Sequence, residues 1–109
     1  MKLIKAIDID KNDDLFEYSN PKKAQKNAYK IFGKNGILYK STRKDKKYMI
    51  LNPYINKFIH FGNIHYQDYL KHNDENRRYK YLKRAMCIKG NWFKNAYSPN
   101  SLSINILWD

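Results

Sequence analysis

Apolar residues recur along this chain with two periods. Ala24, Ala28, Ile31 and Phe32 follow one another at helical spacing, while Lys22, Lys23, Lys26 and Lys30 fall on the opposite face. That pattern predicts an amphipathic helix over 21–32. Asn20-Pro21 is its start, because Asn caps and Pro suits the first helical position, and Gly33 is its stop. From Gly36 the period shortens toward two. Residues 37–42, 47–51 and 57–61 read as strands. They are joined by the charged turn Arg43-Lys44-Asp45-Lys46 and a second turn over 52–56, and the third is closed by Gly62. Strand alternation places Tyr48 and Ile50 on one face of the sheet, Met49 and Leu51 on the other.

A second helix is predicted over 75–88, capped by Asn73 or Asp74 and followed by Gly90. Tyr79, Leu82, Ala85 and Met86 form its apolar side; Arg77, Lys80 and Arg84 lie on the reverse. Partial alternation over 2–9 predicts a first strand, followed by a polar turn at 10–14. Ile104, Ile106 and Trp108 alternate as well, predicting either another strand or an extended tail. Residues 65–71 fit a helical turn or a loop equally. The fold expected is α+β: one domain over 1–109, with a three-stranded antiparallel meander, open to extension by terminal strands, and two main helices.

Charge changes the picture. The chain of 109 residues carries 22 Lys and Arg against 10 Asp and Glu, a formal net charge of +12. A bias toward Lys, Asn, Ile and Tyr is what an AT-rich genome encodes, yet this charge exceeds what solubility requires and points to a polyanionic partner. The charge is also segregated. Residues 1–19 form an acidic segment with Asp8, Asp10, Asp13, Asp14 and Glu17, whereas 20–50 hold ten Lys or Arg against Asp45. The acidic segment reads either as a screen docked on the basic body or as a solvated end. No apolar run approaches the roughly 18 residues of a membrane span, so no membrane partner is expected. Cys87 is the single cysteine, which rules out an internal disulfide and suggests a reducing compartment or a virion interior. Its place beside Met86 and Ile88 predicts a buried, inert thiol.

The candidate nucleic-acid contacts are Lys22, Lys26 and Lys30 on the first helix, Arg43, Lys44, Lys46 and Lys47 at the hairpin, and Arg77, Lys80 and Arg84 on the second helix. Phosphates repeat along a nucleic acid, so such rows can engage several at once and release counterions. Ten tyrosines, many beside Lys or Arg, add candidate stacking surfaces for unpaired bases. No RNA-recognition, zinc-finger or glycine-clamp signature is present, so sequence-specific readout has no support. His60, His65, Asp68, His72 and Asp74 make a further group. On a helix His65, Asp68 and His72 would share a face suited to a divalent metal; as plain structure, His60 is a bonded strand residue and 72–74 a capping turn. No phosphate loop, nucleophile elbow or Cys/His pair appears, so no catalytic residue or cofactor is assigned.

An ordered series of short motifs runs through the last two-thirds of the chain. It comprises Lys46-Lys47-Tyr48-Met49, His60-Phe61-Gly62, Asp68-Tyr69 and His72-Asn73-Asp74. It continues with Arg77-Arg78, Tyr81, Arg84-Ala85, Gly90-Asn91-Trp92 and Ser98-Pro99 through Leu107-Trp108. Over 38–108 the chain thereby resembles an uncharacterised family of small proteins of large eukaryotic DNA viruses, of the mimivirus and phycodnavirus type. The resemblance implies a viral origin and no particular activity. Physically, the motifs suggest a polar network of Asp68, His72, Asp74 and Arg77 that pins the turn after Gly62, with Trp92 and Trp108 as packing anchors. The function expected is non-specific binding of nucleic acid, DNA first, in the virion or the host cytoplasm where virus is assembled. The alternatives are a minor capsid protein meeting other virion proteins, and a small metal-dependent nuclease using the His/Asp group.

Overall fold

Asn20 and Pro21 start the first helix as their chemistry requires: Asn20 Oδ1 accepts a 3.3 Å hydrogen bond from the Lys23 amide, and Pro21 occupies the first turn. In the computed structural model, which describes residues 3–109, this helix α1 spans Pro21–Phe32 and ends at Gly33 with φ 61°. Ala24 and Ala28 are fully buried, whereas Lys22, Lys23, Lys26 and Lys30 are exposed. Ile31, expected inside, is 39% exposed; Phe32 instead stacks on Tyr97 at 4.4 Å.

Three strands follow: β1 (Leu38–Lys40), β2 (Lys46–Asn52) and β3 (Lys57–Asn63). They form an antiparallel meander in the order β1-β2-β3, with Leu38 opposite Ile50 and Tyr48 opposite Phe61. Those four residues lie on one face and enter the core with Ala24, Ala28, Leu102, Ile106 and Leu107. Tyr39, Met49 and His60 are paired across the other face and stand outside that core. β3 continues one residue beyond Gly62, which passes through the strand at φ 83° instead of ending it.

Helix α2 is a single turn, Tyr69–His72, and α3 spans Glu75–Met86, capped by Asp74 on the amides of Asn76 and Arg77. Both terminal segments depart from the expected strands. In the N-terminal one, of which residue 2 lies outside the described residues, Lys5 makes one bridge to Tyr39 and Ala6–Asp8 forms a 3-10 turn. Ala6 and Ile9 are buried three residues apart while Leu3, Ile4 and Ile7 are exposed, a turn's spacing and not a strand's. The polar turn that follows closes with Asp13 capping a second short turn, Asp14–Glu17.

The C-terminal segment is helical. Ser98 accepts a hydrogen bond from the Ser101 amide, Pro99 takes the first turn, and α4 (Pro99–Leu102) runs on as one π-helical turn, Ser103–Leu107. Ser98-Pro99 is the same start signal as Asn20-Pro21, and it prevails over the strand-like alternation of Ile104, Ile106 and Trp108. This segment is wedged between the two long helices. Asn27 Nδ2 on α1 donates to the Ile106 carbonyl at 2.9 Å, and Asn100 Nδ2 donates to the Ala85 carbonyl of α3 at 3.1 Å.

Candidate nucleic-acid interface

A 3.6-residue period puts Arg77, Lys80 and Arg84 on one face of α3 and Arg78, Tyr81, Leu82 and Ala85 on its inner side. The inner side is the anchor. Tyr81 stacks on Trp108 at 4.0 Å and 6°, Arg78 Nε donates to the Trp108 carbonyl at 2.7 Å, and the Arg78 guanidinium lies 5.2 Å from the Tyr69 ring centroid. Tyr79 and Met86, assigned to the apolar side in sequence, are 65% and 64% exposed. The helix turns its aromatic-plus-arginine edge inward because Trp108 offers a flat partner and a free carbonyl. Cys87, at the end of α3, is exposed, against the expected buried thiol.

Arg77, Lys80 and Arg84 line a cleft of about 690 Å³ between α3, the end of β3 and the C-terminal segment. Its walls carry Gly62, Leu107 and Trp108, its aromatic rings include Tyr66 and Tyr81, and Asn63, Gln67, Asn100 and Ser103 supply polar groups. No carboxylate is among the described residues lining it. Arg77, Lys80 and Arg84 are exposed and form no ion pair among the described residues.

Lys47 also reaches this wall, but not as a surface contact. Its side chain is 3% exposed, and Nζ donates to the Tyr18 carbonyl at 3.2 Å, the Tyr66 carbonyl at 2.6 Å and Asp68 Oδ2 at 3.2 Å. Asp68, 1% exposed, also caps α2 by accepting from the Lys71 amide. Burial pushes the Asp68 carboxyl above and the Lys47 ammonium below their ordinary values, and each partner's charge opposes that drift. Lys47 must therefore be struck from the phosphate-contacting residues: its donors are all spent on holding the loop before α2.

The other predicted contacts fall elsewhere. Lys22, Lys26 and Lys30 are exposed on α1. Arg43 and Lys44 are exposed at the hairpin tip, Arg43 in a 3.3 Å pair with Asp45, and Lys46 is half-buried. None of these six lines the cleft. The acidic segment touches the basic body through Asp13, which pairs with Lys40. Sequence reasoning named the cations of α3 but missed their surroundings. The signal available was Tyr81, four residues after Arg77.

The His/Asp group does not converge. Residues 65–68 are not helical, so His65, Asp68 and His72 share no helix face, and the described residues contain no cluster of His, Cys, Asp and Glu arranged to hold a metal. Instead, each member does a local task. His60 Nδ1 and the Ser41 hydroxyl share a 2.7 Å hydrogen bond, Asp68 binds Lys47, and His72 Nδ1 accepts from the amide of Asp74, the α3 cap. Burial, followed by the charge of Arg43 for His60 and Arg77 for His72, holds both imidazoles below their ordinary value. Below about pH 6.5 the unfolded chain then binds more protons than the folded one, so stability is lost as pH falls through the folded values. Denaturant midpoints should accordingly drop between about pH 8 and about pH 5.5, and less steeply in H60Q/H72Q. Identical midpoints at both pH values would contradict the assignment.

The fold and the cleft together define a small basic α+β protein with a cation-lined recess that no carboxylate lines among its described residues. Residues 36–85 match the model of a family of unknown function, DUF5754. The match takes in the sheet, Lys47, Asp68 and the three cleft cations of α3; the motifs from Gly90 to Trp108 lie beyond it. No curated protein and no solved structure matches the chain.

Proposed function

We propose that this is a viral, non-specific nucleic-acid-binding protein that works through charge and does no chemistry of its own. The observation that carries the reading is the set of Arg77, Lys80 and Arg84, free of carboxylate partners among the described residues and lining one recess. Cations on a helix are ordinarily scattered over solvent. Here three of them span about 10 Å of helix axis and face a concave surface that an anion can enter. The α1 lysines supply a second exposed row of the same sign. Binding by such rows is driven by counterion release and carries no base preference. The viral origin, and with it a place in the particle or in the compartment where viral DNA is handled, rests on the motif series described above.

A gel-shift or anisotropy titration across salt tests the reading. With about six phosphates engaged, the logarithm of the affinity for duplex DNA should fall with a slope near −5 against the logarithm of salt. Affinity indifferent to ionic strength, or no binding in low salt, discards it.

A further inference from the structure

We propose that the α3 cleft is a seat for an unpaired nucleotide, so that the protein prefers single-stranded nucleic acid to duplex. The inference rests on the nucleic-acid reading and adds to it a site and a substrate class. Three features of the cleft lead there. Its volume, about 690 Å³, lies in the roughly 300–1,000 Å³ range of pockets that enclose a small organic ligand, larger than a bare phosphate needs. Its rim holds Tyr66, 67% exposed, a ring open to stack on a base, while Tyr81 is already fixed against Trp108 and forms a rigid aromatic wall. Its polar lining (Asn63, Gln67, Asn100, Ser103) is uncharged; Asn63 Oδ1, Gln67 Nε2 and Asn100 Nδ2 each already bond the protein backbone, and the donors and acceptors left over on these side chains suit base edges of any identity.

Cations and rings so placed divide the work: Arg77, Lys80 and Arg84 hold the backbone phosphates, and the tyrosine-lined recess takes the base. In a duplex the bases are stacked and paired, so entering the recess costs unstacking; a single strand offers its bases at little cost. The buried Lys47–Asp68 pair, which fixes the Tyr66 carbonyl through Lys47, keeps the rim in place before ligand arrives.

The test compares a short labelled oligothymidylate with a duplex of the same length, by anisotropy, for wild type, Y66A, R77Q/K80Q/R84Q and K22Q/K26Q/K30Q. All substituted side chains are exposed, and thermal melts check that each variant folds. Wild type should bind the single strand more tightly. Y66A should weaken the single strand about tenfold and leave the duplex nearly unchanged. The α3 triple variant should flatten the single-strand salt slope by about 2 units, since each phosphate contributes roughly −0.7. In a W92F background, oligothymidylate should quench Trp108 fluorescence and duplex should not. Equal losses for both substrates in Y66A overturn the cleft, as does a loss confined to the α1 triple variant; either result leaves the general nucleic-acid reading standing. Wild type that binds neither substrate in low salt removes both.

Discussion

Asp68→Asn or Lys47→Met is expected to destabilise the protein by about 3–5 kcal/mol, because either change leaves a buried charge without its counter-charge. Asn at 68 keeps an acceptor for the α2 cap, so the loss reports the charge and not the helix start. Met at 47 keeps the aliphatic stem against Gly62, whose added Cβ would lie only 3.2 Å from Lys47 Cβ, but it strands the Tyr66 carbonyl and the Asp68 carboxylate, while the Tyr18 carbonyl keeps the Asp68 amide at 2.9 Å. For a domain near 100 residues, each kcal/mol lowers the melting temperature by roughly 4–8 °C, so either variant should melt at least about 12 °C below wild type. The double variant K47M/D68N should lose less than the sum of the singles. Strict additivity, or single losses under about 1 kcal/mol, would show that the pair is not a coupled unit.

Gly36→Ala is the second large effect, expected to cost about 3 kcal/mol or more. The strain here is steric and not conformational, since Gly36 has φ −83°, an ordinary value. An added Cβ would lie 2.7 Å from the Ala28 carbonyl carbon and 3.1 Å from the Tyr29 amide nitrogen, both backbone atoms of α1 that no rotamer change can move aside. The approach is held closed by Gln25, buried on α1, whose Nε2 donates to the Gly36 carbonyl at 2.6 Å and whose Oε1 accepts from the Leu38 amide at 2.8 Å. Pushing α1 off β1 therefore breaks two buried hydrogen bonds besides the packing of Ala24 and Ala28. Chemical denaturation of G36A beside Gly33→Ala separates the causes. Gly33 has open space around it but φ 61° and ψ −138°, a backbone conformation that glycine alone adopts freely, so its substitution should cost about 1–3 kcal/mol of conformational strain. A G36A loss under about 1 kcal/mol would argue against the close approach.

Both long helices and all three strands were legible because their signals are local. Caps, glycine stops and the two hydrophobic periods sit within a few residues of what they specify. The terminal segments were misread for the opposite reason. Leu3, Ile4, Ile7 and Ile9 alternate in part with polar residues, as a strand would, yet the core accepts only Ala6 and Ile9 of this segment. At the other end Ile106, Leu107 and Trp108 are buried in succession, which a strand with one wet face cannot do and a helix wedged between two others can. Gln25, Asn27 and Lys47 look like surface residues in a sequence; each is buried because a specific carbonyl or carboxylate meets it in the fold.

By itself the sequence determined the α+β class, the meander, the bounds of the first long helix and the start of the second, and the excess of positive charge, all of which follow from composition and near-neighbour spacing. Which cations share a surface was decided by tertiary structure alone. Lys47 and Lys46 are adjacent in the chain, yet one is folded inward against Asp68 while its neighbour stays half in water. Arg77, Lys80 and Arg84 face a recess only because Trp108, 24 residues and more away in the chain, stacks on Tyr81 and sets the roll of α3. Periodicity says which residues lie on one side of a helix; only the contacts made by its other side say where that side points.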